Sequence, residues 1–218
     1  MSYINYMTTL FLIAICFISC FILLYFEKHN FSWGKWVFKI TASSAFVLIA
    51  LTLADVSSPY SNWMLIGFGF SFLGDVFLIK SDEGTFFKIG IVSFALAHIA
   101  FIAAFISVGS FELLFLITTI AALVLMVRSY RWLKPNISTD FKALVAMYII
   151  IIGAMCALSG YAWEGNYRNG VLVGAFLFAV SDLFVAREKF IKTEFRNKLI
   201  GLPVYYLAQV FLALSLDW

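Results

Sequence analysis

Eight times the chain runs through about 18 to 23 mostly apolar residues, each run long enough to cross the ~30 Å hydrocarbon layer of a bilayer. The runs cover 6–26, 35–53, 62–79, 86–107, 111–127, 141–163, 170–186 and 199–217. Backbone amides in lipid have no water to bond, so only helices or a closed barrel can span it. These runs are much longer than barrel strands of about 10 residues. The expected fold is all-α: a polytopic membrane helical bundle of about eight transmembrane helices, with 1–218 as a single transmembrane domain. Composition excludes the soluble alternative. The chain is 63% hydrophobic and 12% charged, where a soluble domain carries about 25% charge. The first run has no basic residue before it and no small-residue cleavage site after it, so it reads as a span and not as a cleaved leader.

The cations set an orientation. Lys28 and Lys35 flank the first connection, and Lys80 and Lys88 the third. Arg128, Arg131, Lys134 and Lys142 flank the fifth, and Arg187, Lys189, Lys192, Arg196 and Lys198 the seventh. All lie on one side; of the 15 Lys and Arg, only Lys39, inside a span, and Arg168, on the other side, do not. That side is expected to be cytosolic. An even number of spans then puts both termini on the non-cytosolic side. Trp33, Trp36 and Trp132 flank spans at one surface, and Trp63, Trp163 and Trp218 at the other, where indole prefers to sit. The sequons at Asn30 and Asn136 fall on the cytosolic side and should carry no glycan. The stretch 128–140, with Pro135, reads as the longest tether. The expected location is a multi-pass protein of the bacterial inner (plasma) membrane.

Two aspartates stand inside these apolar runs. Gly67 leads by eight residues to Asp75, with Phe77 two further on and Lys80 five further on; Gly174 leads in the same way to Asp182, Phe184 and Arg187. An ionisable group in a span is costly and by default marks function. The likeness extends to the following spans, where Gly90 and Ala97-His98 align with Gly201 and Ala208-Gln209. The pattern suggests a parallel repeat of four plus four helices.

The remaining odd polar residues gather in the cytosolic half. By the rise of a helix, both aspartates lie roughly 7 Å inside that end, Lys39 at a similar depth, and His98, Tyr205, Tyr206 and Gln209 roughly 10 to 17 Å in. Lys39 could pair with Asp75 or extend its long stem to the headgroups. His98 could serve chemistry or bond a backbone carbonyl, and Tyr205 and Tyr206 could line a site or belong to an aromatic belt. Ser71 and Ser181 could contact substrate or pack helices. Pro203 should start or bend the last helix. Asp55, Glu112, Glu164 and Asp217 read as solvated ends. Cys16, Cys20 and Cys156 form no C-x-x-C pair and read as packing residues.

In order along the chain stand G-x-x-F-S-x-x-G-D ending at Asp75, Ala97-His98, F-x-x-S-D ending at Asp182, and Y-Y-x-A-Q from Tyr205 to Gln209. This set resembles the YhhN-like lysoplasmalogenase family of multi-pass membrane proteins, from Lys39 to Ser215. Ile40 stands where that family often has proline after the lysine, and Phe101 where it often has tyrosine. The resemblance implies hydrolysis of the vinyl ether bond of a lysoplasmalogen, giving a fatty aldehyde and a glycerophospho-ethanolamine or -choline. It implies Asp75, Asp182 and His98 as active-site residues and Lys39, Tyr205, Tyr206 and Gln209 around the site. The expected partners are the lysophospholipid substrate and the lipid bilayer, with room for a homodimer and none for nucleic acid. No cofactor or metal is expected. The residues alone leave two other readings open: a small proton-coupled transporter or lipid carrier, and a hydrolase with a metal held by the two aspartates and His98.

Overall fold

The computed structural model describes residues 3–80, 84–163 and 168–217. Eight α-helices fill them: α1 Tyr3–Lys28, α2 Ser32–Leu53, α3 Pro59–Leu78, α4 Gly84–Val108, α5 Leu113–Leu133, α6 Thr139–Trp163, α7 Arg168–Phe190 and α8 Phe195–Leu214. All eight are long and apolar enough to cross a membrane. Glu164, Trp218 and the Arg168 side chain lie outside the described residues.

Short connections make antiparallel hairpins of α1–α2, α3–α4, α5–α6 and α7–α8. Between hairpins, α2 packs on α3, α6 on α7, α4 on α6, and α8 on both α1 and α2. Helix α4 sits deepest, with 56% of its spanning window buried, whereas α5 has 17% buried and forms an outer wall. The centre is aromatic. Phe94, Phe178 and Tyr205 meet edge to face with ring centroids 5.3–5.9 Å apart. Such geometry sets the positive edge of one ring against the negative face of the next.

Glycines let the backbones approach where hairpins close. Gly170 and Gly174 are one turn apart on α7, the small-x-x-x-small spacing that favours tight helix crossings in lipid. A Cβ at Gly170 would stand 2.4 Å from the Phe211 carbonyl oxygen, and one at Gly174 would stand 2.7 Å from Leu212 Cγ. Helices α7 and α8 are thereby locked together. The cysteines pack as expected: all three are buried and unpaired, and Cys156 Sγ lies 3.6 Å from the Ala175 carbonyl across the α6–α7 contact.

Several ends differ from the hydropathy limits. Helix α5 runs on through Arg128 and Arg131 to Leu133, and a single 3-10 turn follows at Lys134–Asn136. The expected tether is thus mostly helical, because long basic side chains prolong a helix into the interface and suit its C-terminal dipole. Helix α7 likewise continues past Arg187 to Phe190. Pro203 lies inside α8, nine residues into it, and does not start it. The α7–α8 turn is tied by polar groups in place of a long loop. Arg187 pairs with Glu194 and donates to Asn197 Oδ1, while Asn197 Nδ2 donates to Glu188 Oε2 at 2.6 Å. Hydrogen bonds from Lys192 and then Arg187 hold the Glu194 carboxyl below the ordinary range.

Candidate active site

A cavity of about 440 Å³ opens between the helices at the cation-rich end. That is within the size of small-ligand sites, roughly 300–1,000 Å³. Asp75 and Asp182 both line it, with Lys39, Tyr148, Tyr205 and Ser181. Glu27, Lys35 and Lys198 stand at its rim, where the Glu27 carboxylate bridges Lys35 at 3.4 Å and Lys198 at 2.8 Å. This one carboxylate ties α1 to α2 and α8.

The two acids have different supports. Asp75 is 3% exposed on α3. Its Oδ1 lies 3.5 Å from Lys39 Nζ of α2. Its Oδ2 accepts hydrogen bonds of 2.7 Å from Ser43 of α2 and 2.7 Å from Tyr205 of α8. A buried charge survives when it is paired and its lone pairs are filled, and Asp75 meets both conditions. Lys39 therefore points inward as an ion-pair partner; it does not extend to the headgroups.

Asp182 on α7 is held by a phenol and an imidazole. Tyr148 of α6 donates to Oδ2 at 2.6 Å. His98 of α4 places Nε2 at 3.3 Å from the same oxygen and 3.0 Å from the Tyr148 hydroxyl oxygen. With the phenol proton committed to Asp182, Nε2–H is left to donate to both oxygens. His98 is fully buried and does not line the cavity. The edge of its ring packs on Phe178 at a centroid distance of 4.5 Å.

The other expected site residues are spread behind this front. Tyr205 lines the cavity. Tyr206 is fully buried behind it, with its hydroxyl 3.4 Å from Ser43 Oγ. Neither belongs to an aromatic belt. Ser181 reaches the wall but donates its hydroxyl to Phe178 O at 2.8 Å within its own helix. Ser71 and Gln209 are fully buried and do not line the cavity. The Ser71 hydroxyl has no hydrogen-bond partner among the described residues. Among the described residues no three His, Cys, Asp or Glu side chains are grouped to hold a metal.

Sequence reasoning missed Ser43 and Tyr148. Ser43 could have been found, since it is one helical turn past Lys39 and so shares its face. Tyr148 could have been found as a phenol six residues past Lys142, deeper than an interfacial ring needs to be. Tyr148→Phe removes the shorter of the two bonds to Asp182 without changing ring volume. It is expected to lower turnover about tenfold with folding intact, the scale of one charge-assisted hydrogen bond of roughly 1.5–3 kcal/mol. Steady-state turnover and thermal unfolding of the purified variant check both halves.

The chain is similar to known proteins over most of its length. The chain is 32% identical to Lysoplasmalogenase TMEM86A of Bos taurus over 83% of its length and 72% of the relative's. It is 31% identical to Lysoplasmalogenase TMEM86A of Homo sapiens over the same shares. It is 28% identical to Lysoplasmalogenase TMEM86B of Mus musculus over 90% of its length and 81% of the relative's. No solved structure matches it. The YhhN family model matches residues 34–216, all the helices that build the cavity except α1. On that match and those identities, the chain belongs to the YhhN family.

Proposed function

We propose that the protein is a membrane hydrolase that cleaves the vinyl ether bond of lysoplasmalogens. The observation that carries this reading is one cavity lined by both in-span aspartates, whose carboxyl groups have unlike supports. Relatives named lysoplasmalogenase, about 30% identical over most of the chain, point the same way.

The chemistry needs a proton delivered to the β-carbon of the vinyl ether, a negative group near the resulting oxocarbenium ion, and water. Unlike environments let two carboxyl groups divide the first two tasks. Asp75 carries its own countercharge, Lys39, and three contacts fix it in place. It takes the electrostatic task. Asp182 is held through Oδ2 by Tyr148 and His98. It delivers the proton to carbon. Water then adds to the carbon bearing oxygen, and its surplus proton returns to Asp182. The hemiacetal collapses as its hydroxyl loses a proton and the glycerol oxygen gains one. A free aldehyde and a glycerophospho-base leave. Lys35 and Lys198 at the rim meet the substrate phosphate.

The cation-rich end is the cytosolic one in this reading, so the site opens toward that leaflet and both termini lie on the far side. A repeat of four plus four helices accounts for the supports. Asp75 on α3 is served by α2 and α8, and Asp182 on α7 by α6 and α4. Exchanging the halves turns one arrangement into the other. The catalytic difference then lies in the side chains that the two halves bring.

Purified protein given an alkenyl lysophosphatidylethanolamine in D₂O should release an aldehyde with one deuterium on the carbon next to the carbonyl. The ester-linked lysolipid should stay intact. Absence of aldehyde, or aldehyde without deuterium, overturns the proposal.

A further inference from the structure

An apolar groove runs down the outside of the bundle between α5 and α7. Leu114, Ile117 and Ala121 form one side, and Leu172, Phe176 and Val180 form the other. Thr118 lies in it but turns its hydroxyl inward, 2.8 Å from the Ala157 carbonyl. No polar surface is left in the groove.

The groove continues the reaction cavity. On α5, Ala121 of the groove is one turn from Leu125 of the cavity; on α7, Phe176 of the groove is one turn from Ala179 of the cavity, so each pair shares a helix face. Both helices run in the same direction, so the groove lies directly deeper along one seam. From Asp182 to Leu172 the seam descends ten residues, about 15 Å. Starting below the cation-rich surface, it passes the midplane of a ~30 Å hydrocarbon layer, a length that one long hydrocarbon tail can fill.

We infer that this seam is the binding site for the long hydrocarbon tail of the lysolipid, and that it aligns the vinyl ether with Asp182. The inference rests on the proposed hydrolysis for the identity of the head and linkage. The occupant is a single chain: the position of the groove along the same two helices as the polar cavity, its length of about one extended tail and its wholly apolar lining all fit a lipid with a polar head and one tail. The seam gives the tail a lateral way in from the membrane, so the reacting carbons arrive beside the acids without leaving lipid.

The first test needs no turnover. A lysophospholipid with a photoreactive diazirine near the end of its tail is irradiated with the full-length protein in nanodiscs, and labelled peptides are mapped. Labels should concentrate on 113–121 and 172–180. Phe11, Ile18 and Phe21 of α1 are 67%, 59% and 61% exposed and serve as the lipid-facing reference. Labels spread evenly over α1 and the seam, or an α5–α7 contact with a second copy in place of lipid, overturn the inference.

The second test reads selectivity. Ala121→Trp and Val180→Trp each fill the seam and should lower kcat/KM for long-chain alkenyl lysolipids about tenfold or more through misplacement of the reacting carbons. Rates on short-chain analogues, which end above the block, should hold. Val124→Trp, at a residue 51% exposed and outside the seam, should change neither. Equal loss on both chain lengths overturns the inference. If the unaltered protein releases no aldehyde from any chain, the hydrolysis reading falls, and the labelling pattern still decides the seam.

Discussion

Asp182→Asn is expected to lower aldehyde release by about 10³-fold, within the 10²–10⁴ that a positioned general acid contributes. Asparagine keeps the shape of the side chain and an oxygen for Tyr148, so the helices should still assemble. It has no acidic proton to deliver to carbon. Asp75→Asn should lose about 10²-fold, the scale for removing one preorganised electrostatic group from a site. Residual product made in D₂O should carry deuterium in both variants, because any acid that replaces the lost group is itself exchanged, so the size of the rate loss separates the two roles. Full activity in either variant removes that residue from the mechanism. Unfolding measured on the same samples separates lost chemistry from lost structure.

Lys39→Met is expected to destabilise the protein by about 3–5 kcal/mol, because it leaves a buried carboxylate without its countercharge. Asp75→Asn should cost less. An unpaired Lys39 has a long stem and sits two turns into α2, so it can reach toward the headgroups. The double variant Lys39→Met with Asp75→Asn should recover most of the loss, since neither charge is then buried alone. Aldehyde release should stay low in all three. Thermal unfolding in detergent gives the double-mutant cycle. Additive losses in stability would mean that the 3.5 Å contact is not an energetic pair.

The helices and the two acids were legible in the sequence for one reason: lipid penalises deviation heavily. A run such as 86–107 has few other fates, and Asp75 and Asp182 stand out because a charge in such a run is rare. The supports were harder to see. Serine and tyrosine are common in a span, so Ser43 and Tyr148 were passed over although spacing from Lys39 and depth past Lys142 marked them, and their bonds show only once α2 is seen beside α3 and α6 beside α7. Lys39 was visible, but its direction depended on which helix faced it. Helix ends were blurred where Arg128 and Arg131 read as loop although long side chains let the helix continue. Pro203 left two readings open, because a proline that begins or bends a span looks alike in one dimension, and it lies inside α8. Ser71 and Gln209 show the limit in the other direction. They are polar and deep, yet the cavity wall is built without them.

The close crossing at Gly170 and Gly174 has a mechanical consequence. It clamps the helix bearing Asp182 to the helix bearing Tyr205 at main-chain distance, while the further link to Asp75 runs through the Tyr205 hydroxyl. On the proposed reaction, the α7–α8 side of the jaw is therefore the stiff one. Compliance is left to the opposite wall, where α5 is the least embedded helix of the eight. On the proposed reaction, thickness and lateral pressure of the surrounding bilayer would act on that wall, and so on how readily a lipid slips in, more than on the α7–α8 side.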